Sequence, residues 1–286
     1  MIQSMTGFGK ATLQLPTKKI TVEIKSLNSK GLDLNVRMPS VYREMELGLR
    51  NQLSTVLERG KIDFSIFMEN TAEQTSTKVN VPIVKAYISQ LREVYAEADE
   101  TELMKMAVRM PDALKTERDE IDENDWAQIQ VVIEEGIKNI QAFRISEGVA
   151  LEKEFLHRIA NIMTMMNETV ALDGERIQTV KTRLRTAIDE LKVNLDDNRF
   201  EQELIFYLEK YDITEEKVRL ENHLNYFIET LAGNEANGRK LGFITQEMGR
   251  EINTMGSKSN HAQMQKLVVQ MKDELEKIKE QVLNVL

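Results

Sequence analysis

Within Gly238–Lys258, GRKLGFITQEMGREINTMGSK, Glu247, Arg250 and Glu251 crowd a stretch that reads as helix. Glu247 and Glu251 are four residues apart and share a helix face, with Arg250 beside them. The segment closes on a polar Gly256-Ser257-Lys258 turn. Two carboxylates, a guanidinium and a lysine turn within about three helical turns can do chemistry on a charged ligand. The competing reading is a solvated ion-pair face.

A second stretch, Lys210–Leu224, places Asp212, Glu216, Arg219 and His223 at offsets of 0, 4, 7 and 11, which predicts one helix face. An imidazole beside carboxylates serves as metal ligand or as general acid or base. A hydrogen-bonding structural histidine is the alternative. His157 and His261 lack such company and read as structural. The helix end at Leu231-Ala232-Gly233-Asn234 and the short loop after it let the two helices fold back antiparallel, bringing His223 towards the glutamates. Carboxylates with one imidazole and no thiol suit Mn²⁺ or Mg²⁺, with Glu247, Glu251, Asp212 and Glu216 as candidate ligands. Such an ion would polarise a phosphoryl oxygen or activate water. The chain has no Walker loop, G-x-G-x-x-G, H-E-x-x-H or G-x-S-x-G, so kinase, dehydrogenase, zincin and serine-hydrolase readings have no support.

These residues need elements to hold them. Ile20-Val22-Ile24, Leu32-Leu34-Val36-Met38 and Ile62-Phe64-Ile66-Met68 alternate with period two and predict half-buried strands. A first strand is expected over about Ser4–Leu15, with a turn at Pro16-Thr17-Lys18. Val41, Met45, Leu49, Leu53, Val56 and Leu57 follow helical spacing between Pro39-Ser40 and Arg59-Gly60. The order β-β-β-α-β predicts a small sheet with one packed helix. After a polar connector at 70–79, the chain reads as helix. Val81–Met110 makes one or two helices before Pro111. Glu117–Asp125 reads as an acidic loop, with metal binding as the minor alternative. Trp126–Arg144, about Glu147–Met166 and about Glu175–Leu191 follow, the last two as an arm around Asp173-Gly174. Asn260–Leu286 is an amphipathic helix packing on the body or on another subunit. The expected class is α+β: a small N-terminal β-sheet with a packed helix, then a mainly α-helical middle and C-terminal part. The expected division is 1–155, a helical arm at 156–195, and a C-terminal helical domain at 196–286 carrying the candidate site.

At 286 residues with 41% hydrophobic and 30% charged side chains, the chain can bury a sizeable core. No cysteine is present, which excludes disulfides and thiolate metal sites and fits a reducing cytoplasm. The N-terminus shows no signal-peptide pattern, and no apolar run reaches membrane-spanning length. Net charge is −9, yet residues 1–70 carry ten basic and seven acidic side chains. That part can offer phosphates a basic surface. Mixed charge on an ordinary surface explains the same imbalance.

Several motifs resemble the bacterial YicC/YloC family. They are Met5-Thr6-Gly7-Phe8-Gly9, Glu23-Ile24-Lys25-Ser26-Leu27-Asn28-Ser29-Lys30, Glu58-Arg59-Gly60-Lys61, Phe143-Arg144-x-x-Glu147-Gly148, Gly238–Lys258 and Glu276–Asn284. They occur in the family's order along essentially the whole chain. The resemblance implies a metal-dependent endoribonuclease, usually activated by Mn²⁺, assembled as a hexamer that encloses RNA. The chain departs from the family pattern at Gly242 and Gly249, where Asp and Asn are common, and at Asn222, where Ser is common.

On that resemblance Glu247, Glu251 and Asp212 or Glu216 would hold the ion, and His223 would act as general acid, general base or further ligand. Arg219, Arg250 and Lys258 would bind phosphate and stabilise transition-state charge. Lys25, Asn28, Lys30, Arg59 and Lys61 would position the RNA backbone. Arg144 and Glu147 are expected to pair as a structural salt bridge. The rivals are a non-catalytic RNA-binding regulatory adaptor and a purely structural oligomer.

Overall fold

The computed structural model describes residues 2–16, 18–70, 77–116, 123–191, 197–233 and 238–286. Strands β1 (Gly7–Gln14), β2 (Lys18–Leu27), β3 (Leu32–Arg37) and β4 (Gly60–Asn70) form one sheet in the order β1-β2-β4-β3. β1–β2 and β2–β4 are antiparallel, and β3–β4 is parallel. A parallel pair needs a crossover, and a 3₁₀ turn (Ser40–Met45) followed by α1 (Glu46–Leu57) supplies it. The β-β-β-α-β order expected from hydrophobic alternation is the order found.

β5 (Thr77–Val79), α2 (Val81–Val94), α3 (Glu100–Ala107) and β6 (Leu114–Thr116) make a small satellite around Val84, Ala107 and Ala113. Then come α4 (Glu123–Ala171), α5 (Asp173–Leu191), α6 (Asp197–Lys210), α7 (Thr214–Ala232), α8 (Gly238–Lys258) and α9 (Ala262–Val282). Most of the acidic stretch at 117–125 and the loop residue Asn234 lie outside the described residues, as does Thr17 of the first turn.

One helix carries two cores. The first half of α4 lays Ile129, Ile133, Ile137 and Ile140 against Ile20, Val22, Ile24, Ile62 and Phe64 of the sheet, with Leu49, Leu53 and Leu57 of α1 alongside. Its second half lays Leu151, Phe155, Ile159, Ile162 and Met166 against α7, α8 and α9. Two separate helices, Trp126–Arg144 and Glu147–Met166, are expected from the hydrophobic pattern; the structure joins them into a single helix of 49 residues, about 74 Å long. The buried stripe continues through the junction at helical spacing, but Arg144 and Gly148 occupy two of its positions. α4 also passes residue 155 without a break.

Gly148 and Gly9 explain two of the motifs sterically. A Cβ on Gly148 would collide with the carbonyl oxygen of Ile2, and one on Gly9 with that of Gly136 on α4. The N-terminal segment therefore runs in backbone contact with α4. It also meets the C-terminal residues: Met5 N–H donates to Asn284 O at 2.7 Å and Leu286 N–H to Gln3 O at 3.0 Å.

Arg144 lies at this crossing, 2% exposed. Its guanidinium donates to Ser26 Oγ (2.6 Å), Arg59 O (3.2 Å), Met5 O (3.3 Å) and Leu57 O (3.3 Å). Ser26 Oγ in turn donates to Met5 O at 2.6 Å. Burial pulls the guanidinium's pKa down, and the charge of Glu58 opposes that. The expected Arg144–Glu147 salt bridge is not formed. Glu147, three residues on, instead accepts from Thr6 Oγ1 at 2.9 Å, while the Arg144 guanidinium is taken up by Ser26 Oγ and three backbone carbonyls.

The cluster also stabilises a strained turn. Glu58 has φ +46° and Gly60 φ +121°. A non-glycine residue in that region costs on the order of 1–3 kcal/mol. Both carbonyls flanking Glu58, those of Leu57 and Arg59, are held by Arg144. Replacing Arg144 with Leu leaves these acceptors dry and unpaired, so Arg144→Leu is expected to lower unfolding free energy by roughly 3–5 kcal/mol in denaturant titration.

Candidate active site

α7 and α8 pack antiparallel through an apolar seam of Leu220, Leu224, Phe227 and Leu231 against Leu241, Ile244, Met248, Ile252 and Met255. The α8 residues recur at helical spacing, and this stripe holds α8 helical through Gly242 and Gly249. A Cβ on Gly242 would meet only Val282 Cγ1, at 3.9 Å, so the position has room for a side chain.

Charged pairs cross the edge of that seam. Lys258 Nζ lies 2.8 Å from Glu216 Oε1, Arg219 Nη1 lies 4.0 Å from Glu251 Oε1, and Lys240 Nζ lies 4.9 Å from the Tyr226 ring centre. As the α7 number rises the α8 number falls, which sets the register. His223, one turn beyond Arg219, therefore faces the level of Glu247, one turn before Glu251. It is half-buried. The fold-back expected from the short connection thus brings His223 and the glutamate helix side by side.

Glu216 and Glu251 are each 5% exposed. Buried carboxylates cost several kcal/mol unless paired. Lys258 pairs with one oxygen of Glu216, whose Oε2 has no hydrogen-bond partner among the described residues. Arg219 spans Glu251 on α8 and Glu215 on its own helix.

Asp212 corrects the expected helix face. It lies before α7 begins, and its Oδ1 accepts from Thr214 N–H (2.9 Å) and Thr214 Oγ1 (2.7 Å), closing an Asx turn that leads into the helix. A carboxylate favours the chain turn it can close, so it does not join the stripe of Glu216, Arg219 and His223. The Thr214 hydroxyl bond, then the Thr214 N–H bond, hold the Asp212 carboxyl below the usual range, with Lys258 and Arg176 adding positive charge.

Arg176 was not singled out by sequence. It is buried, bonds Asp173 at 2.7 Å and donates to the Lys258 carbonyl at 3.4 Å, closing the C-terminal end of α8. Its position just after Asp173-Gly174-Glu175 gave no periodic signal, since it is one polar residue among others.

Glu247 and Arg250 sit on the outer face of α8, 3.9 Å apart and exposed. Among the described residues, no group of three or more His, Asp or Glu side chains is placed to hold a metal ion. Within one chain, then, the candidate ligands Glu247, Glu251, Asp212 and Glu216 do not converge, and two of them already face cations. The donor set does not fit a metal centre within one chain.

The N-terminal basic residues form a second cluster. Arg59 Nε donates to Ser29 O (2.9 Å) and Gly60 N–H to Gly31 O (3.2 Å), joining the two loops. Lys61 pairs in register with Leu27, two residues from Lys25. Lys25, Asn28, Lys30 and Lys61 are exposed at this sheet end, and Arg59 is half-buried.

Comparison with known proteins agrees along the whole chain. A family model described as endoribonuclease YicC-like, N-terminal region, matches residues 2–153, and its C-terminal counterpart matches residues 170–286. The chain is 31% identical over 293 residues to a protein of Clostridioides difficile (strain 630), with both chains covered fully. It is 29% identical over 288 residues to a protein of Haemophilus influenzae, again with full coverage of both. Each is named "Probable endoribonuclease YicC".

Two stability measurements check this geometry. Asp212→Ala is expected to cost about 1 kcal/mol at neutral pH. The Asp212 carboxyl is depressed in the fold, so its contribution is present above the unfolded carboxyl pKa and is lost as pH falls through the folded one. The gap between Asp212→Ala and wild type should therefore close in acid. Gly242→Ala is expected to raise unfolding free energy by about 1 kcal/mol, read as a higher Tm, because the helix gains propensity without a clash.

Proposed function

The chain belongs to the YicC-like endoribonuclease family, and from that membership we propose that it hydrolyses phosphodiester bonds inside RNA. The observation that carries the reading is the set of Arg219, Arg250 and Lys258 on the helix pair that also holds the half-buried His223. Arg219, Arg250 and Lys258 bind the phosphodiester and stabilise the charge that builds on it. His223 gives or takes a proton at a reacting oxygen. Glu251 orients Arg219, and Glu247 stands at the level of His223 beside Arg250. Lys25, Asn28, Lys30, Arg59 and Lys61 hold the backbone of the same RNA without reading its sequence.

The wider proposal, from the family resemblance, is a cytoplasmic protein of RNA turnover that self-associates as a hexamer and uses Mn²⁺ or Mg²⁺. The candidate ligands do not converge within one chain, so the roles of Arg219, Arg250, Lys258 and His223 stand without the ion. No helix among the described residues is long and apolar enough to cross a membrane. The second reading is an RNA-binding regulatory adaptor that does not cut. The engagement of Glu216 and Glu251 with cations favours it, since a cation of the chain itself already lies against each carboxylate.

Incubation of a labelled hairpin RNA with Mn²⁺, Mg²⁺ or EDTA separates the two. Internal cleavage by wild type, reduced about 10²–10⁴-fold by His223→Ala and lowered also by Glu251→Gln, is the expected result. Binding without cleavage under every ion condition would leave the adaptor as the function.

A further inference from the structure

We infer that the paired segments 3–5 and 284–286 form an end stop for α8, and that Gly238 is a positioning residue for cleavage. The inference rests on the endoribonuclease reading, since α8 carries Glu247, Arg250 and Glu251 beside the α7 helix of His223. The apolar seam decides which face of α8 turns inward. It does not by itself decide where the helix sits along its own axis, because Leu241, Ile244, Met248, Ile252 and Met255 recur with every turn. A slide of one turn, about 5.4 Å, returns apolar side chains to apolar neighbours. Arg219 lies 4.0 Å from Glu251 and is itself exposed, and exposed ion pairs hold geometry weakly. The far end of α8 is held by Lys258 on Glu216 and by Arg176 on the Lys258 carbonyl.

The near end is held by backbone. Gly238 N–H donates to Leu286 O at 3.3 Å, and a Cβ on Gly238 would collide with the carbonyl oxygen of Val285. The helix therefore starts in backbone contact with residues 285 and 286, a fit that needs glycine. Those residues are fixed in turn. Ser4 and Val285 form an antiparallel bridge, with Met5 N–H on Asn284 O at 2.7 Å and Leu286 N–H on Gln3 O at 3.0 Å. Ser4 N–H donates to the Arg144 carbonyl at 3.1 Å and the Arg144 guanidinium to Met5 O at 3.3 Å, so the stop is anchored on α4. Ile2 and Val285 add their side chains to the core that holds Leu241 and Ile244. Gly238 precedes Glu247 by nine residues, about 14 Å, so it acts through α8 and not on the phosphodiester.

The test is steady-state cleavage of a labelled hairpin RNA together with amide hydrogen exchange, on wild type, Gly238→Ala, Leu286→Pro and Gly242→Ala. Leu286→Pro removes the N–H that donates to Gln3 O and leaves α7 and α8 unchanged in sequence. Gly242→Ala makes the same change as Gly238→Ala on the same helix, at a position with room for a Cβ. Misplacing reacting groups by about 1 Å can cost roughly 100-fold in rate. kcat is expected to fall roughly 10- to 100-fold in Gly238→Ala and Leu286→Pro with KM within about twofold, while Gly242→Ala keeps the wild-type kcat. The first turns of α8 should exchange slowly in wild type and faster in both stop variants, with the rest of the two cores unchanged. Wild-type kcat and exchange in Gly238→Ala would overturn the stop, as would an equal loss of kcat in Gly242→Ala or a rise in KM at constant kcat. Exchange that rises evenly over both cores would assign these contacts to global stability and overturn the positioning role. Unprotected amides at Met5, Gly238 and Leu286 in wild type would overturn it without recourse to any variant. A wild type that cuts no RNA would remove the endoribonuclease reading and the role in cleavage with it, and exchange would still decide whether residues 284–286 hold α8.

Discussion

A single buried guanidinium ties the N-terminal segment, strand β2 and the turn after α1 to the long helix α4. Arg144 bonds the N-terminal segment at Met5, strand β2 at Ser26 and the turn after α1 at Leu57 and Arg59. A planar group with five donors can serve several carbonyls at once, which a lysine cannot. Every partner except one is a backbone oxygen, so the bonds specify the path of the chain more than the identity of the side chains. That path includes the strained turn at Glu58. The loops carrying Arg59 and Lys61 are held where Arg144 places them, and the exposed basic cluster at the sheet end depends on a buried cation beneath it.

The same helix continues from Arg144 into the second core. α4 gives one stripe to the sheet and the next to α7, α8 and α9, so the two cores cannot be displaced from each other without bending a 49-residue helix. Close backbone approach at Gly9 and Gly148 tightens that arrangement, because neither position admits a Cβ. The candidate site is built on α7 and α8, regular elements backed by a close-packed core. Side chains presented from such elements keep their spacing better than side chains on loops.

At the α7–α8 edge, burial and function press in opposite directions. Glu216 and Glu251 are almost wholly out of water, and each needs a cation nearby. Lys258 and Arg219 meet that need and are also cations suited to a phosphate. A phosphate arriving at this edge competes with the glutamates for the same charges. The pairs order the side chains in the free protein, and the ligand would have to redistribute them. Arg176 fixes the end of α8 through a backbone carbonyl and leaves the Lys258 ammonium to Glu216.

The strands were legible in the sequence because alternation at period two reports directly which side chains face a core. Ile20, Val22 and Ile24 carry that signal, and so do Ile62, Phe64 and Ile66. The helix α8 and its glutamate face were legible for the same reason at a longer period, and ordered motifs made the family readable. Periodicity failed where a polar residue or a glycine takes a core position. Arg144 and Gly148 made one helix look like two, since hydrophobicity cannot mark a site buried by hydrogen bonds or by backbone contact. It failed again at Asp212, where a local Asx turn outcompetes the helix. Sequence spacing placed His223 and the glutamates on their faces, but whether four carboxylates meet depends on the rotation of one helix against another. The packing of the apolar seam sets that rotation. It leaves Glu216 and Glu251 inside with their cations and turns Glu247 outward, an outcome decided by the tertiary structure alone.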